Sequence, residues 1–289
     1  MKKKISSILI CILISIFQCI NVFASDVKSE SIDLDALNAI IEKESGERNF
    51  PENSFTQGLW AKATAEGCLS VNNSGHVVID ESISNFLTTT ECNQLMDSVI
   101  FCNELVDVKL IKVDPKTITV SNLKITEESL QLLKEYQTDI YNQTNTYPES
   151  FSLFSGAHCS LEGLHLDILV QNNRHTILQF RANASGLPGG NAYTLTVAYW
   201  VSLVCEGGAW DYKIQPLYKG KTFCCTYAGG TNIHRTAEYI GNYNYGYTGA
   251  DLFSLAILHL GSAAVGGGVE KDQHDWPAID EGYYDNPAT

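Results

Sequence analysis

Thr194-Leu-Thr-Val-Ala-Tyr-Trp-Val-Ser-Leu-Val204 decides what the second half of this chain is built from. Its β-branched and aromatic residues carry strand propensity. Its length as an apolar run suits a buried helix. Upstream, Gly163 to Leu169 alternates like a strand, Thr176 to Ala184 fits either type, and Asn183 to Asn191 is a loop of small and turn-forming residues. Downstream, Asp251 to Ala264 reads as an amphipathic helix, with Leu252, Leu255, Ala256, Leu258 and Leu260 on its apolar side and Gly266-Gly267-Gly268 as its stop.

The first half alternates helices with short strand pairs. Ser31 to Glu44 reads as a helix, with Leu34, Leu37, Ile40 and Ile41 on one face, and Arg48 to Gln57 as a polar loop. Cys68 to Ile79 reads as strand, turn, strand around Asn72-Asn73-Ser74-Gly75. Asp80 caps a helix carrying Ile83, Phe86 and Leu87, and Thr90-Glu91 opens another carrying Leu95, Met96, Val99 and Ile100. A second strand pair, Val106 to Val113 and Thr117 to Val120, flanks Asp114-Pro115-Lys116. Thr126 to Tyr141 is a helix, and polar Asn142 to Ser150 reads as a junction. The expected fold class is α+β, with a small α+β module at 25–148 and a helix-rich C-terminal domain at 149–289.

Lys2-Lys3-Lys4, the apolar Ile5 to Ile20 and Val22-Phe23-Ala24 form a secretory signal, 1–24. A transmembrane anchor is the competing reading, and the acidic, polar sequence after Ala24 favours cleavage. The expectation is a secreted or extracytoplasmic protein with no transmembrane anchor after cleavage. The remaining 265 residues suffice for a buried core. Losing three lysines and no acids moves the formal charge from -14 to -17. From Gly190 onward five basic residues face ten acidic ones. No stable nucleic-acid binding is expected from this balance, although a divalent metal could offset part of it.

Seven cysteines follow the signal, none in C-x-x-C or zinc-type spacing. Six could pair in an exported protein, or most could be buried thiols. A vicinal Cys224-Cys225 bridge is disfavoured by strain.

Three blocks carry residues that packing alone rarely requires. Cys205-Glu-Gly-Gly-Ala-Trp-Asp-Tyr-Lys213 has a glycine turn anchored by Trp210, and puts Asp211 and Lys213 on one side if extended. Such a pair could serve acid-base chemistry, and the plainer reading is a surface ion pair. Gly241-Asn-Tyr-Asn-Tyr-Gly-Tyr-Thr-Gly249 brings backbone close to a ligand or to a neighbouring helix. Asn242, Asn244, Tyr245 and Tyr247 could stack on and hydrogen-bond a ring-bearing substrate, or be turn caps and half-buried core. Asp272-Gln-His-Asp-Trp-Pro-Ala-Ile-Asp-Glu-Gly282 sets His274 among carboxylates. It suits a metal site, an acid-base pair or a solvated acidic loop, and an irregular loop is needed to converge Asp275 and Asp280. His158-Cys159 with His165 can be written as a nucleophile pair lacking an orienting group. His234-Arg235 could touch an anion. His76, His175 and His259 read as turn, loop and helix-surface residues. No nucleophile elbow, phosphate loop, H-E-x-x-H or dinucleotide fingerprint is present.

In this order the blocks resemble the polymorphic toxin type 44 domain of bacterial toxin and secreted-effector systems, across Thr194 to Tyr283. The departure is an incomplete acidic set, with Gln273 at the second acid. The resemblance implies a helix at Thr194 to Val204, a toxin domain closing a larger secreted protein, and a cognate immunity protein as partner. It implies an enzyme, and export with acidity points to a hydrolase of a cell-envelope polymer. A nuclease toxin and a non-catalytic binding module are the alternatives. Asp211, Lys213, His274, Asp275 and Asp280 are the candidate catalytic residues. Trp210, Asn242, Asn244, Tyr245 and Tyr247 are the candidate substrate contacts, and a divalent metal on the carboxylates is the one cofactor considered.

Overall fold

The computed structural model describes residues 33–47, 50, 52–144, 161–226, 233–265 and 274–289. The signal segment, most of the junction after Thr144, His158-Cys159, the Gly266-Gly268 stop and Asp272 lie outside them. The fold is α+β. Its helices are α1 Leu34–Glu47, α2 Ser54–Ala65, α3 Thr89–Asp107, α4 Glu127–Thr144, α5 Leu166–Ala184, α6 Ala192–Val204, α7 Ala237–Gly249, α8 Leu255–Val265 and α9 Trp276–Asp285. Antiparallel pairs join β1 Leu69–Val71 to β2 Val77–Ile79 and β3 Ile111–Val113 to β4 Val120–Asn122. In a third sheet β6 Thr222–Thr226 is central, parallel to β5 Gly163–His165 and antiparallel to β7 Ile233–Thr236.

Local chemistry sets the element boundaries. Asp80 accepts a hydrogen bond from Ser82 N–H and starts a 3-10 helix, Glu81–Asn85. Thr88 and Glu91 form a capping box that starts α3. Asn53 accepts from Thr56 N–H, so the expected loop to Gln57 is cut short by α2. That helix is held by burial of Leu59, Trp60 and Ala63 and by Trp60 Nε1 donating to Ser98 Oγ at 2.9 Å. The strand expected from Val106 begins only at Ile111, because α3 continues to Asp107. The strand expected from Gly163 to Leu169 ends at His165, where α5 takes over, and the helix expected from Asp251 starts at Leu255.

Thr194 to Val204 lies in α6. Ten of this helix's thirteen residues are buried, and it packs against α1, α4, α5 and α7. Apolar contact on nearly every side outweighs the strand preference of its β-branched residues. Asn191 caps its start, accepting from Thr194 N–H. A continuous cluster of buried side chains runs from Ile41, Trp60 and Leu95 through Leu133 to Trp200, Leu258 and Ile279. A second gathers Leu164, Val170, Phe223, Ile240 and Tyr243 around the three-stranded sheet.

α7 and α9 touch backbone to backbone. A Cβ on Gly246 would lie 2.1 Å from the Ile279 carbonyl oxygen, and one on Gly282 would lie 2.1 Å from that of Tyr243. Both positions therefore require glycine for space. A Cβ on Gly241, in the same helix as Gly246, would meet nothing within 4 Å.

Gly246→Ala and Gly282→Ala should each lower unfolding stability by about 2 kcal/mol or more, since the colliding atoms are backbone. Gly241→Ala should raise it by about 0.5–1 kcal/mol through helix propensity. Urea denaturation of the three variants checks both signs.

A pH series probes the caps. Hydrogen bonds from Ser82 hold the Asp80 carboxyl below its ordinary value, and those from Thr88 do the same for Glu91. The Asp114 carboxylate accepts from the backbone N–H groups of Thr117 and Lys116, which lowers it likewise. Groups held low in the folded state stabilise it above their unfolded values and lose that contribution as pH falls through the folded ones. The thermal midpoint should therefore drop on acidification below about pH 4.5, and less so in the Asp80→Asn, Asp114→Asn double variant.

Candidate functional site

The turn after α6 buries the first block instead of extending it. Gly207 has φ +76°, and a Cβ on Gly208 would lie 2.2 Å from the Leu203 carbonyl oxygen. Trp210, half-buried, donates its backbone N–H to that same carbonyl at 2.8 Å. Asp211 is buried, and its Oδ2 accepts from Gly207 N–H at 3.1 Å. Lys213 is exposed. The expected side-by-side Asp211 and Lys213 is corrected: a turn, not a strand, separates them into inside and outside. Asp211 locks the turn.

Tyr212 ties this turn to the second block. Asn173 Nδ2, on α5, donates to Tyr212 Oη and to Asn244 Oδ1, both at 2.7 Å. Asn244 has no exposed surface, and its Nδ2 has no partner among the described residues. A residue so enclosed joins helices, which corrects the expectation that it meets a substrate.

The second block is α7, so its glycines serve a neighbouring helix. Tyr239, Tyr243 and Tyr247 follow at four-residue spacing, with successive ring centroids 6.3 Å apart. Tyr243 Oη donates to Asp285 Oδ2 at 2.7 Å, and Tyr239 Oη donates to Glu281. Tyr247 is buried, and that burial is the main cause raising its phenol above the ordinary value; Arg174 opposes it, and Asp251, Asp285 and Asp167 reinforce it. Tyr245, on another side of the helix, donates to the Leu258 carbonyl at 3.1 Å and leans on Trp200. Asn242 is half-buried.

The third block is also helical where it is described. His274 is exposed just before α9, Asp275 occupies its N-cap position, and Pro277 sits in its first turn. Asp275 and Asp280 are therefore about 140° apart around a helix axis, which corrects the irregular loop expected to converge them. Asp280 instead meets His259 of α8, with Nε2 2.6 Å from Oδ1. The His259 ring stacks on Trp276, centroids 4.4 Å apart and planes 3° from parallel. His259 side-chain exposure is 20% and that of Asp280 is 42%, so the pair is open to solvent.

Asp280, accepting from Nε2–H, fixes the tautomer that leaves Nδ1 with the lone pair. That arrangement suits proton transfer, with the carboxylate orienting the ring. The sequence alone puts His259 on a helix surface and favours His274. The missing signal is non-local: no spacing rule links positions 259 and 280. Nearby in sequence to this pair, Glu281 is approached by Arg235 at 3.6 Å, and the Arg235 guanidinium covers the Tyr239 ring at 3.9 Å.

Asp211, Asn244 and Asp280 thus take part in three separate sets of hydrogen bonds. Among the described residues no group of three or more His, Cys, Asp or Glu is arranged to hold a metal ion. No described helix is long and apolar enough to cross a membrane. Cys224 is in a disulfide, whereas Cys68, Cys92, Cys102, Cys205 and Cys225 are free. Burial pushes the Cys102 and Cys225 thiols up to about 12. Compared with protein-family models, curated proteins and solved structures, the chain matches none.

Tyr212→Phe removes one acceptor from the buried Asn173 amide and should cost about 1–2 kcal/mol of unfolding free energy. Asn242→Ala, at the half-buried position two residues before Asn244, should stay within about 0.5 kcal/mol. Equilibrium denaturation distinguishes the two.

Proposed function

We propose that this chain is an exported effector resembling toxin type 44 proteins, and that it hydrolyses a cell-envelope polymer with His259 and Asp280 as its acid-base pair. The observation that carries this reading is the 2.6 Å contact between His259 and Asp280, with the imidazole held flat against Trp276. His259 would take a proton from the attacking water, and Asp280 would hold the ring in the receptive tautomer. Three further features support the reading. The N-terminal 24 residues have the pattern of an export signal. The Cys224 disulfide suits an oxidising compartment. The net charge disfavours a nucleic-acid substrate. A cognate immunity protein is the partner this reading implies.

Residues 25–289 should lyse a Gram-negative host when directed to its periplasm and leave it growing when kept in its cytoplasm. His259→Asn should lower hydrolysis of purified peptidoglycan by about 10²–10⁴-fold, with the fold intact by circular dichroism. Arrest from the cytoplasm alone would replace the reading with a nuclease toxin. No toxicity from folded protein in either compartment would replace it with a binding module.

A further inference from the structure

A cleft of about 320 Å³ opens between α3, α4, α5 and α6, and neither His259 nor Asp280 lines it. Phe101, Phe180 and Tyr199 form its aromatic wall. Phe180 lies flat on Tyr199, with centroids 4.1 Å apart, and Phe101 meets Phe180 edge-on at 5.2 Å. Leu105, Val108 and Leu133 extend the apolar lining.

Two carboxylates, Asp97 and Glu104, also line the cleft, and Lys, Arg and His are absent from its described lining. Tyr136 Oη donates to Glu104 Oε2 at 2.7 Å, which engages one oxygen of the carboxylate and not the other. Burial is the main cause holding the Tyr136 phenol above its ordinary range, so it remains the donor. Neither Asp97 nor Glu104 is ion-paired with a described cation. An aromatic wall and unneutralised carboxylates both attract a cation and repel an anion.

We propose that this cleft binds a small organic monocation with an apolar body, of the arylalkylammonium kind. Its volume is at the lower end for ligand sites, enough for a ring with a short tail. The apolar body would lie along Phe101 and the exposed Ile100, with the charged head at Glu104 and Asp97. Helices on both sides of the Asn142 to Ser150 junction line the cleft, so an occupant would bridge them.

Titration of the purified chain with 2-phenylethylammonium, 2-phenylethanol and 3-phenylpropionate, followed by calorimetry, tests this. Saturable binding of the ammonium compound, about tenfold tighter than the alcohol, and no binding of the carboxylate are expected. The Asp97→Asn, Glu104→Gln double variant keeps an acceptor for Tyr136 and should bind the ammonium compound and the alcohol alike. His259→Asn should bind as the unaltered chain does, which separates this site from the hydrolytic one. Equal affinity for the ammonium compound and the alcohol in the unaltered chain would overturn the proposal. So would a preference that survives in the double variant, or no saturable binding of the ammonium compound.

Discussion

The contact between α7 and α9 at Gly246 and Gly282 governs the C-terminal architecture. With no Cβ at either position, each helix sets its glycine against a backbone carbonyl of the other. That proximity brings Tyr239 and Tyr243 within hydrogen-bonding reach of Glu281 and Asp285. It also lets Asn286, just past α9, donate to Asp251 at 3.0 Å. The interface also buries Ile279 and Tyr243. It depends on dispersion between close backbones and on hydrogen bonds whose alternatives are lost on burial.

Asp251 extends the constraint to α5. Arg174 grips it through Nε and Nη2, at 2.6 and 2.9 Å, while Asn286 supplies a third hydrogen bond. The Asp251 side chain is only 5% exposed, so its desolvation offsets much of the Coulomb gain. The ion pair fixes where three segments meet more than it adds to net stability. The buried amides of Asn173 and Asn244 do the same between α5 and α7, because a shift of either helix would leave both without that partner.

Signals contained within a few residues are legible in the sequence. The Asn72 turn, the Asp80 cap and the start of α3 depend on side chains bonding their own neighbouring backbone. Thr194 to Val204 is ambiguous because propensity and burial pull in opposite directions, and burial against several helices prevails. The second and third blocks mislead for a different reason. Gly, Tyr and Asn are weak helix formers, so a glycine-rich, aromatic stretch resembles a ligand loop. Its helical character lies in the spacing of Tyr239, Tyr243 and Tyr247, matched by Glu281 and Asp285, also four apart. The complementarity of Gly246 with Gly282, like that of His259 with Asp280, exists only after the chain has folded back.

The polar residues that draw attention in these blocks therefore divide by burial. Asn244 and Asp211 are enclosed and serve packing and turn geometry, and Tyr243 commits its hydroxyl to Asp285. Asp280 differs: it lies on the same short helix as Gly282 but is directed to α8 and half open to water. A rigid crossing is a suitable support for such a group, since proton transfer is sensitive to small displacements of the carboxylate and ring. Most of the distinctive residues of the three blocks consequently build the frame. The chemistry proposed for the frame rests on a histidine that lies outside the three blocks.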